Sequence, residues 1–190
     1  MTLKVGYIVS GGGFVLRELF QRDPTLISFV LADRPCGALH FAEIKNIPCY
    51  ESTYESGLVI PVESRPDVDV WVTLYDRLLT ASMIEYFCRP KYYITTKNRE
   101  YHPLMINLHP ALLPSFRGLH AVRQALDAGV TFTGSTVHFV DAGMDTGKII
   151  SQSPWPVTPG ISEVALAEEV LRDGARLLAR TLQEGLWLFI

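Results

Sequence analysis

The chain lacks the features that mark membrane, secreted and nucleic-acid-binding proteins. No apolar run reaches the ~18 residues needed to cross a bilayer. The start Met1-Thr2-Leu3-Lys4-Val5 carries no charged segment leading into an apolar stretch, so neither a membrane partner nor a secretory leader is expected. Cys36, Cys49 and Cys88 are an odd number, widely spaced and without a Cys-x-x-Cys pair. They suit reduced thiols filling core space in a cytoplasmic protein, and neither a disulfide frame nor a metal site is expected. Charge is nearly balanced, with 17 Lys and Arg against 20 Asp and Glu and a formal net charge of -3. With an isoelectric point of about 5.9, a partner held mainly by phosphate neutralisation, and hence a nucleic acid, is disfavoured. There is no internal repeat, low-complexity stretch or linker, and 190 residues at 48% hydrophobic content fit one domain, residues 1–190.

What is present is an alternation of short apolar runs and helix-compatible stretches, the pattern of an α/β fold with an open, mostly parallel sheet covered by helices on both faces. Residues 4–9 read as a strand ending in Ser10-Gly11-Gly12-Gly13. Residues 14–22 read as an amphipathic helix, with Phe14, Leu16, Leu19 and Phe20 against Arg17, Glu18 and Arg22. A second strand over 27–32, a short helix over 38–45 and an edge strand over 48–50 follow, then a loop over 51–66. Residues 68–74 read as a central strand, 80–87 as a helix with Thr80 as N-cap, and 105–108 as the next strand. A helix over 119–128 closed by Gly129, a β-branched strand over 133–140 and an antiparallel strand over 148–156 complete the sheet. The last helix, 162–184, carries Val164, Leu166, Val170, Leu171, Ala175, Leu178 and Leu182 at helical spacing and is expected to pack on the sheet. The apolar ending Trp187-Leu188-Phe189-Ile190 either tucks against the core or forms an oligomer contact, which leaves a homodimer open.

The chemistry concentrates where the strand over 105–108 ends. Side chains alternate along a strand, so Asn107 and His109 point the same way, and Pro110 then removes a backbone donor and breaks the ladder. An amide N–H beside a protonated imidazole suits a carbonyl oxygen that becomes an oxyanion, and a carboxylate near them can hold the imidazole and relay a proton. Asp145, in Asp141-Ala142-Gly143-Met144-Asp145-Thr146-Gly147, is the candidate carboxylate. Taken singly, a histidine before proline is more often structural, Asn at a strand end commonly caps a turn, and His138 in an apolar run reads as a core histidine; the triple carries the case. The loop Gly11, Gly12, Gly13 lets backbone N–H groups approach an anion at the following helix, but it has neither Gly-x-Gly-x-x-Gly spacing nor a Walker lysine.

The segment Asn107-Leu108-His109-Pro110-Ala111-Leu112-Leu113-Pro114, followed by Val137-His138-Phe139-Val140 and then Asp145-Thr146-Gly147, resembles the folate-dependent formyltransferases. The runs 118–126 and 133–138 are most similar to the branch of that family acting on glycinamide ribonucleotide. The resemblance implies a single-domain Rossmann-like formyltransferase fold whose small-molecule partners are 10-formyltetrahydrofolate and a primary amine. It implies catalytic roles for Asn107, His109 and Asp145, with His109 as imidazolium and His138 supporting them from behind. It also implies a pterin slot formed by Arg77, Leu78 and Leu79 with Val140, Asp141 and Met144, and an acceptor loop at Gly11, Gly12 and Gly13. A hydrolase of the same family reads His-His where this chain has His109-Pro110, and the branch that formylates a tRNA carries a further RNA-binding domain. A binding module without turnover would have no need of the three catalytic residues together.

Four departures from the family stand out. Phe14 and Val15 replace a Ser and an Asn that help hold the acceptor phosphate. The acidic residue on the last helix that contacts the acceptor falls at Gly174, with Asp173, Glu169 or Glu168 as substitutes after a register shift. Asp76 occupies a position of the folate slot that is ordinarily apolar, and residues 89–103, rich in Tyr, Lys and Thr, read as an insertion. Glycinamide ribonucleotide is the expected acceptor, with another amine, on an amino sugar or a modified amino acid, as the alternative.

Overall fold

The alternating pattern becomes one layered sheet in the computed structural model, which describes residues 3–60, 66–88 and 104–185. Among these residues the strands are β1 (Val5–Val9), β2 (Phe29–Ala32), β3 (Cys49–Glu51), β4 (Val70–Leu74), β5 (Leu104–His109), β6 (Phe132–Phe139) and β7 (Ile149–Pro156). The helices are α1 (Phe14–Arg22), α2 (Gly37–Ile44), α3 (Ala81–Phe87), α4 (Ala121–Asp127) and α5 (Glu163–Glu184). The strands lie in the order β3-β2-β1-β4-β5-β6-β7. The first five are parallel and the last two antiparallel, as the sequence pattern predicts.

β1 and β4 are apolar on both sides because both faces are covered. Val5, Tyr7 and Val9 join α1, α2 and α5 in one core, while Ile8 and Trp71 join Met83 and Phe87 of α3 in the other. The three cysteines are half-buried, and each packs against a core cluster. Thr80 caps α3 through its hydroxyl, which accepts from Met83 N at 3.2 Å, and Ser162 caps α5 in the same way. α5 ends at Gly185 in the left-handed conformation.

The structure departs from the sequence reading at several ends. β2 starts at Phe29 because Pro24–Leu26 form a 3₁₀ turn capped by Asp23. α4 starts at Ala121 because His120 is left-handed (φ 59°) and the Gln124 side chain holds the Arg117 and Leu119 carbonyls. Val164, placed on the packed face by its spacing, is 70% exposed in the first turn of α5. The expected insertion over 89–103 and the apolar ending lie outside the described residues. No helix among the described residues is long and apolar enough to cross a membrane.

The strand order reverses between β1 and β4. Open α/β sheets bind ligands in the crevice beyond the carboxyl ends of the strands at such a switch point. Here that crevice is continuous with the end of β5.

Candidate active site

A cavity of about 530 Å³ opens at this crevice, and every site residue expected from the sequence lines it. Gly11, Gly12 and Gly13 border it after β1, and Arg77, Leu78 and Leu79 after β4. Asn107 and His109 come from β5, His138 from β6, and Val140, Asp141, Met144 and Asp145 from the loop after β6.

The centre is built by strand register. Asn107 pairs with Thr73 across the parallel β4–β5 ladder and with His138 across the antiparallel β5–β6 ladder. The buried Thr73 hydroxyl donates to Asn107 Oδ1 at 2.8 Å, which fixes the amide so that Nδ2 faces His138 Nε2 (3.1 Å) and Asp145 Oδ1 (3.3 Å). His138 Nδ1 donates to the Phe139 carbonyl at 2.8 Å, and its Nε2 faces both Asn107 Nδ2 and Asp145 Oδ1, the latter at 3.4 Å. Asp145 adopts a left-handed backbone (φ 53°) that turns its carboxylate inward, where Oδ2 accepts from Gly118 N at 2.8 Å and faces His109 Nδ1 at 3.3 Å.

His109 is buried, with 4% of its surface exposed, and both ring nitrogens face oxygens: Nδ1 that of Asp145, Nε2 the Phe116 carbonyl at 2.8 Å. Two acceptors suit an imidazolium, but burial pushes the His109 pKa below the ordinary histidine value, and Asp145 and Phe116 pull it back only in part. The charged resting imidazole expected from the resemblance is therefore opposed by desolvation. For Asp145 burial acts against ionisation too, yet the contacts from His138, the Gly118 N–H and His109 outweigh it and hold the carboxyl below its usual range.

Around this centre several expected residues are engaged elsewhere. Arg77 does not pair with Asp76; it lies over the Tyr54 ring at 5.1 Å and reaches Asp33 and Glu55 at 3.8 Å. Asp141 Oδ1 accepts from Gly143 N and the Thr146 hydroxyl, so this carboxylate shapes its own loop. At the glycine loop, Gly13 is left-handed (φ 76°), and a Cβ there would lie 2.7 Å from the Ala38 backbone. Phe14 faces the cavity with the Arg172 guanidinium 5.6 Å from its ring centre.

From α5, Leu171 reaches the cavity, and none of Glu168, Glu169 and Asp173 lines it. Glu169 accepts from Trp155 Nε1 at 3.0 Å. At Gly174 a Cβ would lie 2.6 Å from Ser135 Oγ, so a side chain there requires Ser135 to shift. Sequence reasoning missed Thr73, whose signal was a lone hydroxyl in the apolar run Val70-Trp71-Val72-Thr73-Leu74. It also missed Phe116 and Gly118, whose backbone roles leave no readable pattern.

The chain resembles known proteins in sequence and in fold. The formyl transferase family matches residues 63–182. The phosphoribosylglycinamide formyltransferase of Mycobacterium tuberculosis is 33% identical over 184 residues, covering 90% of this chain and 79% of that protein. The trifunctional purine biosynthetic protein adenosine-3 of Drosophila pseudoobscura is 39% identical over 170 residues, 88% of this chain, which spans 12% of that longer protein. Among solved structures, glycinamide ribonucleotide transformylase 1 of Geobacillus kaustophilus superposes with a TM-score of 0.79 at 28% identity, covering 98% of this chain and all of that one.

Proposed function

The chain belongs to the formyl transferase family, and from that premise we propose that it transfers a formyl group from 10-formyltetrahydrofolate to the amine of glycinamide ribonucleotide, a cytoplasmic step of purine biosynthesis. The observation that carries this reading is the meeting of Asn107, His109 and Asp145 in one cavity bordered by the glycine loop on the β1 side and by residues 140–145 on the β6 side. In this reading the pterin occupies the slot of Arg77, Leu78 and Leu79 with Val140, Asp141 and Met144. The acceptor lies against Gly11, Gly12 and Gly13.

The amine nitrogen attacks the formyl carbon, and the carbonyl electron pair moves onto oxygen. Asn107 Nδ2 exchanges its longer contact, to Asp145 Oδ1, for that oxyanion, and His109 Nε2 exchanges the Phe116 carbonyl for it. The new negative charge raises the His109 pKa, so the imidazolium that burial disfavours at rest is favoured as the oxyanion forms. Asp145 accepts a proton from the incoming nitrogen through a water and returns it to folate N10. The bond from the formyl carbon to N10 breaks, releasing tetrahydrofolate and the formylated amine.

A second reading, transfer to another amine on an amino sugar or modified amino acid, is favoured by Phe14 and Val15 at the glycine loop and by the absence of an α5 carboxylate from the cavity. A spectrophotometric assay of folate release, run with glycinamide ribonucleotide beside a panel of amino sugars and amino acids, separates the two. Saturable turnover with the ribonucleotide is expected, and turnover restricted to another amine would overturn the first reading. Asn107→Ala and His109→Ala should each lose at least a hundredfold in kcat with the fold intact, since an oxyanion donor contributes ~2.7 to 4 kcal/mol.

A further inference from the structure

We propose that Asp76 is the carboxylate that recognises the acceptor, by accepting hydrogen bonds from its vicinal hydroxyls; this rests on the ribonucleotide reading above. Among the described residues three carboxylates line the cavity: Asp76, Asp141 and Asp145. Asp145 is engaged by Asn107, Gly118 and two imidazoles, and Asp141 by Gly143 and Thr146. Asp76 is held differently. Both its oxygens receive one nitrogen, Arg34 Nη2, at 2.8 and 2.7 Å, and its side chain is 57% exposed. A carboxylate offers about four lone-pair sites, so about half of its accepting capacity is open.

Its placement assigns it to the acceptor side. Asp76 N donates to Ser10 Oγ, and Arg34 Nε reaches the Ser10 carbonyl, which sets the carboxylate beside the residue that opens the glycine loop. The mount is anchored: Asp33, its side chain 1% exposed at the end of β2, lies 3.3 Å from Arg34 Nε and accepts from the Tyr75 hydroxyl at 3.1 Å. Arg34 also neutralises Asp76, so an acceptor carrying a phosphate to the glycine loop meets no net repulsion there. Gly174 cannot supply an acid, since the space its Cβ would need is filled by Ser135. An anchored carboxylate with open lone pairs at this spot suits two O–H donors of a ribose better than the apolar face of a pterin.

The test is a kinetic comparison of the unmodified enzyme with Asp76→Ala and Asp76→Asn, using glycinamide ribonucleotide and its 2′,3′-dideoxy analogue. Asp76→Ala should raise the KM for the ribonucleotide at least tenfold, with kcat within threefold and the folate KM within twofold. Asp76→Asn, which keeps one accepting oxygen, should recover part of the loss. With the dideoxy analogue, enzyme and variants should give the same KM; a general loosening of the fold would raise both. A rise in the folate KM alone, or an equal effect on both acceptors, would overturn the assignment. If the unmodified enzyme does not turn over the ribonucleotide, the reading of the preceding section fails and this inference falls with it; normal turnover with an unchanged KM in Asp76→Ala sinks this inference alone.

Discussion

Both nitrogens of His109 face oxygens, yet its burial opposes the charge that such a pairing favours, and this tension sets how the site responds to pH. The folded pKa lies below the ordinary 6.5, so between the two values the unfolded chain binds the proton more readily. Stability from this group therefore rises with pH across that window and is constant above 6.5. Asp145 acts in the same direction at lower pH: its pKa is held below 3.8, so its contribution is complete above that value and is lost as pH falls through the depressed one. Replacing Asp145 by Asn removes the negative charge nearest the ring. An NMR titration of the His109 ring should give a midpoint below 6.5 in the unliganded protein and a lower one in Asp145→Asn. A midpoint above 6.5, or no shift in the variant, would contradict the balance of burial and charge described here.

At the scale of elements, the β5–β6 ladder does most to assemble the site, because it sets Asn107 opposite His138 without any loop having to place them. α5 sets what the cavity lacks. It packs so closely on β6 that restoring a side chain at position 174 forces Ser135 aside, and Ser135 Oγ donates to the Val170 carbonyl. Gly174→Ala should lower stability by ~1 to 3 kcal/mol as an overpacked core does, despite the better helix propensity of alanine; a rise in Tm would show that α5 and β6 are less closely packed. These elements were legible in sequence to different depths. Period two identified Asn107 and His109 as one face, and the turn glycines and caps marked α1, α3 and α5 within a residue or so. The left-handed turns at Phe116, His120 and Asp145 were not legible, since such conformations in non-glycine residues are imposed by tertiary contacts. Nor was the blocked space at Gly174, which depends on how near two distant segments approach.

Over the whole molecule, the sheet order brings the ends of β1, β4 and β5 and the loop after β6 to one cavity. In the proposed reaction both substrates occupy that cavity together, and the formyl group passes directly from N10 to the amine with no formyl-enzyme stage. In that reaction Asn107 and His109 act as donors and Asp145 as a proton relay, and none is needed as a nucleophile. The measurement that bears most directly on this is the initial rate over a grid of 10-formyltetrahydrofolate and glycinamide ribonucleotide concentrations. Double-reciprocal lines that intersect are predicted, as for a ternary complex; parallel lines would mean that the formyl group first leaves the folate for the protein, and would contradict direct transfer in a shared cavity.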